Sequence, residues 1–157
     1  MKIKVDVLSA KKFQPYGDVL SETKDQPMAD DDVITYYGQI SKIAFGKLVS
    51  TGFLLGHKRA LVTNKLERHA KTPEVLVALE NDAIILAALS EPDGDSVKDI
   101  SAFYVKQGQA VVLNKRTWHW TPFPTTAETC KFLVMFNDQT EFEDLTIKDL
   151  EEVIEIV

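Results

Sequence analysis

The sequence predicts a mainly β protein in which short strands form one barrel or sandwich. Two observations predict this fold class. Apolar runs recur at regular spacing along the chain, and the segments between them carry Pro, Gly, Asn and Asp, the residues that form tight turns. Many short strands separated by such turns are typical of all-β barrels and sandwiches.

The length of the chain predicts one globular domain over residues 1–157, because 157 residues suit one sizeable core and are too few for two ordinary domains. Hydrophobic residues make up 45% of the chain and charged residues 27%, which argues against disorder. The net charge of −6 argues against a nucleic-acid partner or an anionic membrane, and a small anionic substrate would need a local basic pocket. The single cysteine, Cys130, cannot form an internal disulfide and is interpreted as a small buried side chain.

The N-terminal segment predicts a strand followed by one turn of helix. Residues 2–8 alternate polar and apolar side chains, as a half-buried strand does. Ser9 can cap a helical turn over residues 10–13, which Pro15 and Gly17 then end. The segment lacks a continuous apolar stretch, so we expect neither a signal peptide nor a membrane span there, and a cytoplasmic protein is expected.

The middle of the chain predicts a polar loop and then a series of strands. Residues 18–33 include three adjacent aspartates, which do not offer the spaced oxygen ligands of a calcium site, so an exposed loop is predicted. Strands are predicted at residues 33–37 and 44–55, the second bent at Gly46 and Gly52. Six further strands are predicted at residues 61–69, 75–79, 83–89, 102–105, 109–113 and 131–137.

The C-terminal segment predicts a helix. Thr146 begins a sequence like a capping box, with Asp149 in place of the usual Glu or Gln. Apolar residues then recur at helical spacing, at positions 147, 150, 153, 154 and 157. Such a helix would pack its apolar stripe against the barrel or a second subunit.

Two histidines and two glutamates are candidates for a catalytic or metal site. Glu67 and His69 are two residues apart on a predicted strand and share one face, and Glu74 follows after a turn that contains Pro73. His119 comes just beyond the strand at 109–113 and a polar turn. Two imidazoles and two carboxylates suit manganese, iron, zinc or nickel without distinguishing them. The alternatives are hydrogen-bonded histidines at strand ends, a surface ion pair for Glu67 and a solvated strand start for Glu74.

Basic and aromatic residues are candidates for substrate binding. Lys58, Arg59 or Lys115 is predicted to hold a substrate carboxylate. The alternative is an exposed turn for Lys58 and Arg59 and exposed surface for Lys115. Trp118 and Trp120 flank the second histidine and are predicted to wall one side of a small pocket, with core packing as the alternative.

The spacing of these candidates resembles the two motifs of the cupin superfamily. The first motif has His-x-His, a Glu four or five residues on and a closing Gly, and the second has a Gly, a Pro-x-Gly and a His. The residues at these positions are Glu67, His69, Glu74 and Asn81 in the first motif and Gly108, Asn114, Arg116 and His119 in the second. The resemblance implies a cupin-like double-stranded β-helix, a jelly-roll barrel, to which the short N-terminal helical turn and the C-terminal helix are added.

Three short stretches carry a narrower resemblance. The LERH at residues 66–69, the Trp118-His119 pair and the FQPYGDV at residues 13–19 resemble the ureidoglycolate lyase family, over roughly residues 5–140. The resemblance implies a homodimeric enzyme of allantoin and purine breakdown that splits ureidoglycolate into glyoxylate and urea. Three residues depart from the family pattern: Glu74 replaces a Gln, Leu113 a Tyr, and Trp120 a second His.

The resemblance also implies an elimination, in which a base takes the substrate hydroxyl proton and an acid protonates the departing nitrogen. His119 or Glu74 is expected to be the base, His69 the acid or a metal ligand, and Glu67 its orienting carboxylate or a ligand. No organic cofactor is expected. Two alternatives stay open: a metal-dependent cupin that acts on a sugar or keto acid as isomerase or oxygenase, and a small-molecule-binding cupin without activity.

Overall fold

The computed structural model describes residues 1–20, 26–92 and 94–157. Most of these residues lie in strands, and the two helices are single turns. The elements are β1 (Lys2–Ile3), β2 (Val5–Val7), α1 (Ala10–Phe13), β3 (Gly17–Leu20), β4 (Ala29–Asp30), β5 (Thr35–Tyr36), β6 (Val49–His57), β7 (Val62–Arg68), β8 (Glu74–Glu80), β9 (Ala83–Ser90), β10 (Val97–Val105), β11 (Ala110–Leu113), β12 (Trp118–Pro124), β13 (Thr129–Asn137), α2 (Thr140–Glu143) and β14 (Thr146–Ile156).

The strands form two main sheets that pack on each other. The five-stranded sheet has the order β3-β11-β8-β13-β6, and the seven-stranded sheet has the order β1-β14-β7-β12-β9-β10-β2. Neighbouring strands are antiparallel except β1 with β14 and β2 with β10. β4 and β5 pair with each other outside these sheets. The predicted mainly β fold class is confirmed.

The N-terminal strand closes the seven-stranded sheet. It is divided at Lys4, so that β1 pairs with β14 at one end of the sheet and β2 pairs with β10 at the other. The amide of Val5 donates to the carbonyl of Val157 at 3.0 Å, and the amide of Val157 donates to the carbonyl of Ile3 at 2.9 Å. Because one short segment bonds to both ends, the sheet curls until its ends meet.

Two hydrophobic cores lie on opposite faces of the seven-stranded sheet. The first core lies between the two sheets and includes Ile85 and Phe132. The second core lies inside the curled sheet and includes Leu86, Trp118 and Phe123. Alternate residues of β9 therefore face different cores, which is why that strand is a continuous apolar run in the sequence.

The predicted C-terminal helix is wrong, because residues 146–156 form the strand β14. β14 pairs with β7 and has a register shift between Asp149 and Ile154. The shift interrupts the alternation of apolar residues, so their spacing in the sequence imitates the period of a helix. The side chains of Ile154 and Ile156 are buried in the second core.

The N-terminal half differs from the prediction in two places. The predicted polar loop contains most of β3 and all of β4, and its residues 21–25 lie outside the described residues. β3 can pair closely with β11 because Gly17 has no side chain. A Cβ at this position would lie 1.8 Å from the carbonyl oxygen of Val112. The strands predicted at residues 33–37 and 44–55 are displaced and correspond to β5 and β6.

Several smaller predictions are confirmed. The hydroxyl of Ser9 accepts a hydrogen bond from the amide of Lys12 and caps α1, and Cys130 is buried. β7, β8, β9, β11 and β13 lie close to their predicted positions, and β10 is longer than predicted. The sequence does not predict β12, whose Pro122 and Pro124 argue against a strand. Within the described ranges, no helix is long and apolar enough to cross a membrane.

Candidate active site

Four candidate residues come from both sheets and converge between them. Glu67 lies near the end of β7, and its partner in register on β12 is His119. His69 follows β7 directly, and Glu74 begins β8 in the opposite sheet. The structure thus brings together all four of the predicted ligands.

The four side chains form a compact cluster around the Glu74 carboxylate. Its Oε2 lies 2.9 Å from Nε2 of His119 and 3.6 Å from Nε2 of His69. Oε1 of Glu67 lies 3.8 Å from Nε2 of His119. His69, Glu74 and His119 are buried, whereas the side chain of Glu67 is 21% exposed. Glu67 is therefore the most accessible member of the cluster.

Backbone carbonyls fix the orientation of both imidazoles. Nδ1 of His69 lies 3.0 Å from the carbonyl oxygen of Asp144, and Nδ1 of His119 lies 3.0 Å from that of Thr117. Because a carbonyl oxygen only accepts, each Nδ1 carries a hydrogen, and each Nε2 faces Glu74 with a lone pair when the ring is neutral. Histidines that bind metals are commonly held in this way.

Burial and neighbouring charges give the two glutamates different proton affinities. Burial raises the pKa of Glu67 above its ordinary value, although the nearby His119 opposes the shift. Burial also acts to raise the pKa of Glu74, but His119 and His69 outweigh it and lower that pKa. Burial acts to lower the pKa of His119, but Glu74 and Glu67 outweigh it and raise that pKa to about 9. Glu74 is therefore ionised at neutral pH, and Glu67 is the better proton carrier.

The cluster has the donor set that a metal ion would use. One ligand atom from each of His69, Glu74 and His119 lies within 4.8 Å of the others. Oε2 of Glu74 and Nε2 of His119 are buried 2.9 Å apart, and neither has a polar partner other than the members of the cluster among the described residues. Two imidazoles and a carboxylate therefore fit a manganese, iron, zinc or nickel ion.

The cluster opens into a cavity of about 340 Å³. One side of the cavity is acidic and the other is apolar, and none of the described residues that line it is a lysine or an arginine. The lining residues are Gly52, Phe53, Leu54, Glu67, His69, Glu74, Val134, Phe136, Glu141 and Leu145. A negatively charged ligand would therefore meet carboxylates and no fixed side-chain cation in this lining.

The sequence as a whole matches one enzyme family. The profile of the family described as ureidoglycolate lyase matches residues 1–156. The chain belongs to the ureidoglycolate lyase family. The family is enzymatic, so the predictions of this family and of a lyase are confirmed. No curated protein matches the chain.

Solved structures similar to this member of the ureidoglycolate lyase family have low sequence identity to it. Oxalate decarboxylase from Bacillus subtilis at pH 4.6 is 14% identical, with a TM-score of 0.46, over 66% of this chain and 24% of that chain. RmlC from Streptococcus suis in complex with dTDP-D-xylose is 9% identical, with a TM-score of 0.45, over 59% of this chain and 45% of that chain. The chain thus spans less than half the length of either protein.

The three basic residues predicted to hold a substrate carboxylate lie away from the cavity. Nζ of Lys58 pairs with the carboxylate of Glu128 at 3.0 Å. The guanidinium of Arg59 donates to the carbonyl of Thr121 at 2.6 Å. Lys115 lines a separate cleft of about 250 Å³. The structure does not bring these three cations to the cluster, because each lies on a turn or strand end that faces elsewhere.

The two tryptophans predicted to wall the pocket also lie elsewhere. Trp118 and Trp120 are on the face of β12 opposite to His119, since successive residues of a strand alternate. Trp118 is 1% exposed in the second core, and the guanidinium carbon of Arg68 lies 4.5 Å from its ring centre. The apolar wall of the cavity, which the sequence reasoning missed, comes instead from β6 and β13. Every second residue of a strand faces the same side, and this rule, applied to these two predicted strands, identifies the inward-facing residues Leu54, Val134 and Phe136.

The FQPYGDV stretch supports the turn that precedes His119. The carbonyl oxygen of Tyr16 accepts from the amide of Asn114 at 2.9 Å and from the hydroxyl of Thr117 at 2.9 Å. The carbonyl of Thr117 in turn orients His119. The N-terminal stretch that resembles the ureidoglycolate lyase family is therefore part of the same site as the second motif.

Two residues that replace motif glycines keep the backbone that glycine favours. Asn81 has a φ of 64° and Arg116 a φ of 71°, both in the left-handed region. The amide of Arg116 donates to the carbonyl of His69 at 2.7 Å. The unusual backbone at Arg116 thus joins the second motif to the first.

Proposed function

We propose that this chain removes urea from ureidoglycolate and releases glyoxylate, the reaction for which the family is named. The observation that carries the proposal is the convergence of a buried His-Glu-His group and a second carboxylate on one cavity. The buried group can hold a cation, and the second carboxylate, which is partly exposed, can carry a proton. An elimination at a carbon that bears a hydroxyl and an amide nitrogen uses both.

The reaction breaks one carbon–nitrogen bond and moves one proton. In ureidoglycolate, one carbon carries a hydroxyl, a carboxylate and a urea nitrogen. Loss of the hydroxyl proton lets the oxygen form the glyoxylate carbonyl while the electrons of the carbon–nitrogen bond pass to nitrogen. That nitrogen gains a proton, so neutral urea leaves and the proton balance closes without another reactant.

Glu67 is the residue that moves this proton in our proposal. It lines the cavity, and it is more exposed than the other members of the cluster. It accepts the hydroxyl proton and returns it to the departing nitrogen, a role that contributes roughly 10²–10⁴-fold to a rate. The expected bases, His119 and Glu74, suit this role less because their reactive atoms are buried 2.9 Å from each other.

The acidic lining makes a bound cation part of the proposal. Glu67, Glu74 and Glu141 lie beside the cavity without a lysine or arginine among the described lining residues, so an anionic substrate would be repelled. His69, Glu74 and His119 would hold a divalent metal ion. When bound, the metal supplies positive charge for the substrate carboxylate and for the charge that develops on the hydroxyl oxygen.

The experiment follows glyoxylate, urea and ammonia from racemic ureidoglycolate, with purified protein before and after chelation. We expect equal amounts of glyoxylate and urea, and loss of activity after chelation that added metal restores. Glu67→Gln should lower kcat by about 10²–10⁴-fold. Glu80→Gln is the matched control, because Glu80 lies on the same sheet as Glu74 but pairs with Lys131 on the surface.

Three results would contradict parts of this proposal. Ammonia in place of urea would mean hydrolysis of the ureido group. If the protein forms no product after manganese, iron, zinc or nickel is added back, ureidoglycolate is not its substrate. Full activity of Glu67→Gln would remove that residue from the proton transfer.

The Glu74 carboxylate favours a second candidate function. It stands where the resembled pattern has Gln, and it adds an anionic ligand to the two imidazoles. Stoichiometric metal without glyoxylate formation would favour a metal-dependent isomerase or oxygenase that acts on a sugar or keto acid.

A further inference from the structure

The wall of the cavity that β6 and β13 form beside the acidic cluster is apolar. Leu54 of β6 and Val134 and Phe136 of β13 have the strand parity of Phe132, which is fully buried in the first core. These side chains therefore point inward between the two sheets. The ring centre of Phe136 lies 5.7 Å from that of His69, so the apolar wall adjoins the cluster directly.

Leu54 and Phe136 face inward but are only partly buried. Phe132, on the same face of β13, has no exposed surface, whereas Leu54 and Phe136 keep some. The cavity accounts for this difference, because both residues line it. The apolar surface that they present is thus available to a bound molecule and is covered by no other part of the described chain.

Ureidoglycolate has no group that can use this wall. Its single carbon–hydrogen unit is surrounded by a hydroxyl, a carboxylate and a ureido group, all of which prefer polar partners. The cavity volume of about 340 Å³ lies in the range of roughly 300–1,000 Å³ that is typical of sites for larger, drug-sized ligands. When ureidoglycolate lies at the cluster, part of the cavity volume and its apolar wall therefore remain unoccupied.

We propose that the preferred substrate is a ureidoglycolate that bears an apolar substituent on its distal ureido nitrogen. This inference rests on the proposed function and assigns the substrate class of the same site. The α-hydroxy acid end lies at His69, Glu74 and His119, and the substituent lies against Leu54 and Phe136. The bonds that form and break are those of the parent reaction, so the products are glyoxylate and a substituted urea.

The test compares three substrates under identical conditions: ureidoglycolate, its N-butyl derivative and its N-(2-methoxyethyl) derivative, a polar chain of equal length. Each buried methylene is worth about a fourfold gain in binding. We expect kcat/KM for the butyl derivative to exceed that for ureidoglycolate by at least about tenfold, and to exceed that for the methoxyethyl derivative by a smaller factor. Equal or lower kcat/KM for the butyl derivative would overturn the proposal.

Two variants of adjacent residues on β6 test which surface causes the preference for the butyl derivative. Leu54→Thr replaces an inward side chain of the wall, and Leu55→Thr replaces its outward neighbour, which is 52% exposed. Both introduce a residue that strands accept readily. Leu54→Thr should remove most of the preference for the butyl group, and Leu55→Thr should retain it. If Leu54→Thr does not fold, Phe136→Leu, which shortens the wall but keeps it apolar, should reduce the preference in part; an unchanged preference in the folded variant would contradict the assignment.

Binding of the product ureas separates failure of this inference from failure of the proposed function. If none of the three substrates yields glyoxylate, the lyase assignment fails, and titration calorimetry with butylurea and urea still tests the wall. Butylurea that binds at least about tenfold more tightly than urea, and loses this advantage in Leu54→Thr, would support the apolar subsite. Equal binding of the two ureas would overturn it.

Discussion

Asp144 holds His69 and the residues after it through both its backbone and its side chain. Its carbonyl oxygen lies 3.0 Å from Nδ1 of His69. Its carboxylate accepts from the amide of Ala70 at 3.0 Å and from the amide of Lys71 at 2.7 Å. The amide of Asp144 donates to the carbonyl of Thr140 at 2.9 Å, so the end of α2 is fixed against the first motif.

This relationship predicts that Asp144 positions a ligand from outside the cluster. Asp144→Ala keeps the carbonyl that faces His69 but frees the amides of Ala70 and Lys71. It should weaken metal binding and lower kcat by about tenfold, the lower end of the range for residues that support metal ligands. Asp144→Asn keeps one acceptor oxygen and should recover part of the loss. The measurements are metal affinity by titration and kcat with KM, beside the thermal midpoint. A lower midpoint with unchanged metal affinity in Asp144→Ala would show a merely structural role, and Asp149→Ala, which loses a surface pair with Lys65, is the control.

The pKa of His119 predicts how the stability of the metal-free protein depends on pH. The pKa is raised from 6.5 to about 9, so the folded state binds this proton more tightly than the unfolded state does. The stabilisation is fully present below pH 6.5 and is lost as the pH rises through about 9. At about 1.4 kcal/mol for each pKa unit, the loss is on the order of 3 kcal/mol.

Chemical unfolding of chelated protein between pH 6 and 10, compared with His119→Gln, measures this loss. The natural protein should lose more free energy of unfolding over this interval than the variant, in which position 119 does not titrate. Parallel curves for the two proteins would show that the charged His119–Glu74 pair does not stabilise the fold.

The cluster could be predicted from the sequence because its geometry is local. Two residues two apart on one strand share a face whatever the rest of the fold, and this fact places Glu67 beside His69. The same alternation along a strand places the two tryptophans away from the cavity. Trp118 and Trp120 neighbour His119 in sequence, and on a strand that proximity places them on its other face.

The second core could not be inferred from the pattern of single segments. It exists because β1 and β2 pair with strands that lie more than ninety residues later, which closes the seven-stranded sheet. The same sheet makes the C-terminal segment a strand, since β14 pairs with β7 and also with β1. Periodicity reports which residues are buried but not which distant strand buries them.

The position of Trp118 in this second core predicts a stability role rather than contact with a substrate. Trp118→Ala removes a side chain that is 1% exposed and should lower the free energy of unfolding by about 3–5 kcal/mol. Trp118→Phe should cost less and keep kcat and KM for the substrate unchanged, because the indole Nε1 has no hydrogen-bond partner among the described residues. Urea unfolding and steady-state kinetics check both variants. A raised KM in a stable Trp118→Phe would return the residue to the substrate site.

The raised pKa of Glu67 predicts that activity and stability change in opposite directions at this position. Burial raises the pKa of Glu67, so the folded protein binds this proton more tightly than the unfolded chain does. The resulting stabilisation is present below the ordinary pKa of a glutamate and is lost as the pH rises through the raised pKa. Glu67→Gln keeps the shape of the side chain without the charge. At neutral pH the chelated variant should therefore have a higher thermal midpoint than the chelated natural protein. With metal restored, the variant should have a kcat lowered by about 10²–10⁴-fold. The acid limb of the pH–rate profile, which reports the ionisation of Glu67 in the natural protein, should be absent from the residual activity of the variant. A variant that is less stable and keeps the acid limb would show that Glu67 serves the structure and that another group carries the proton.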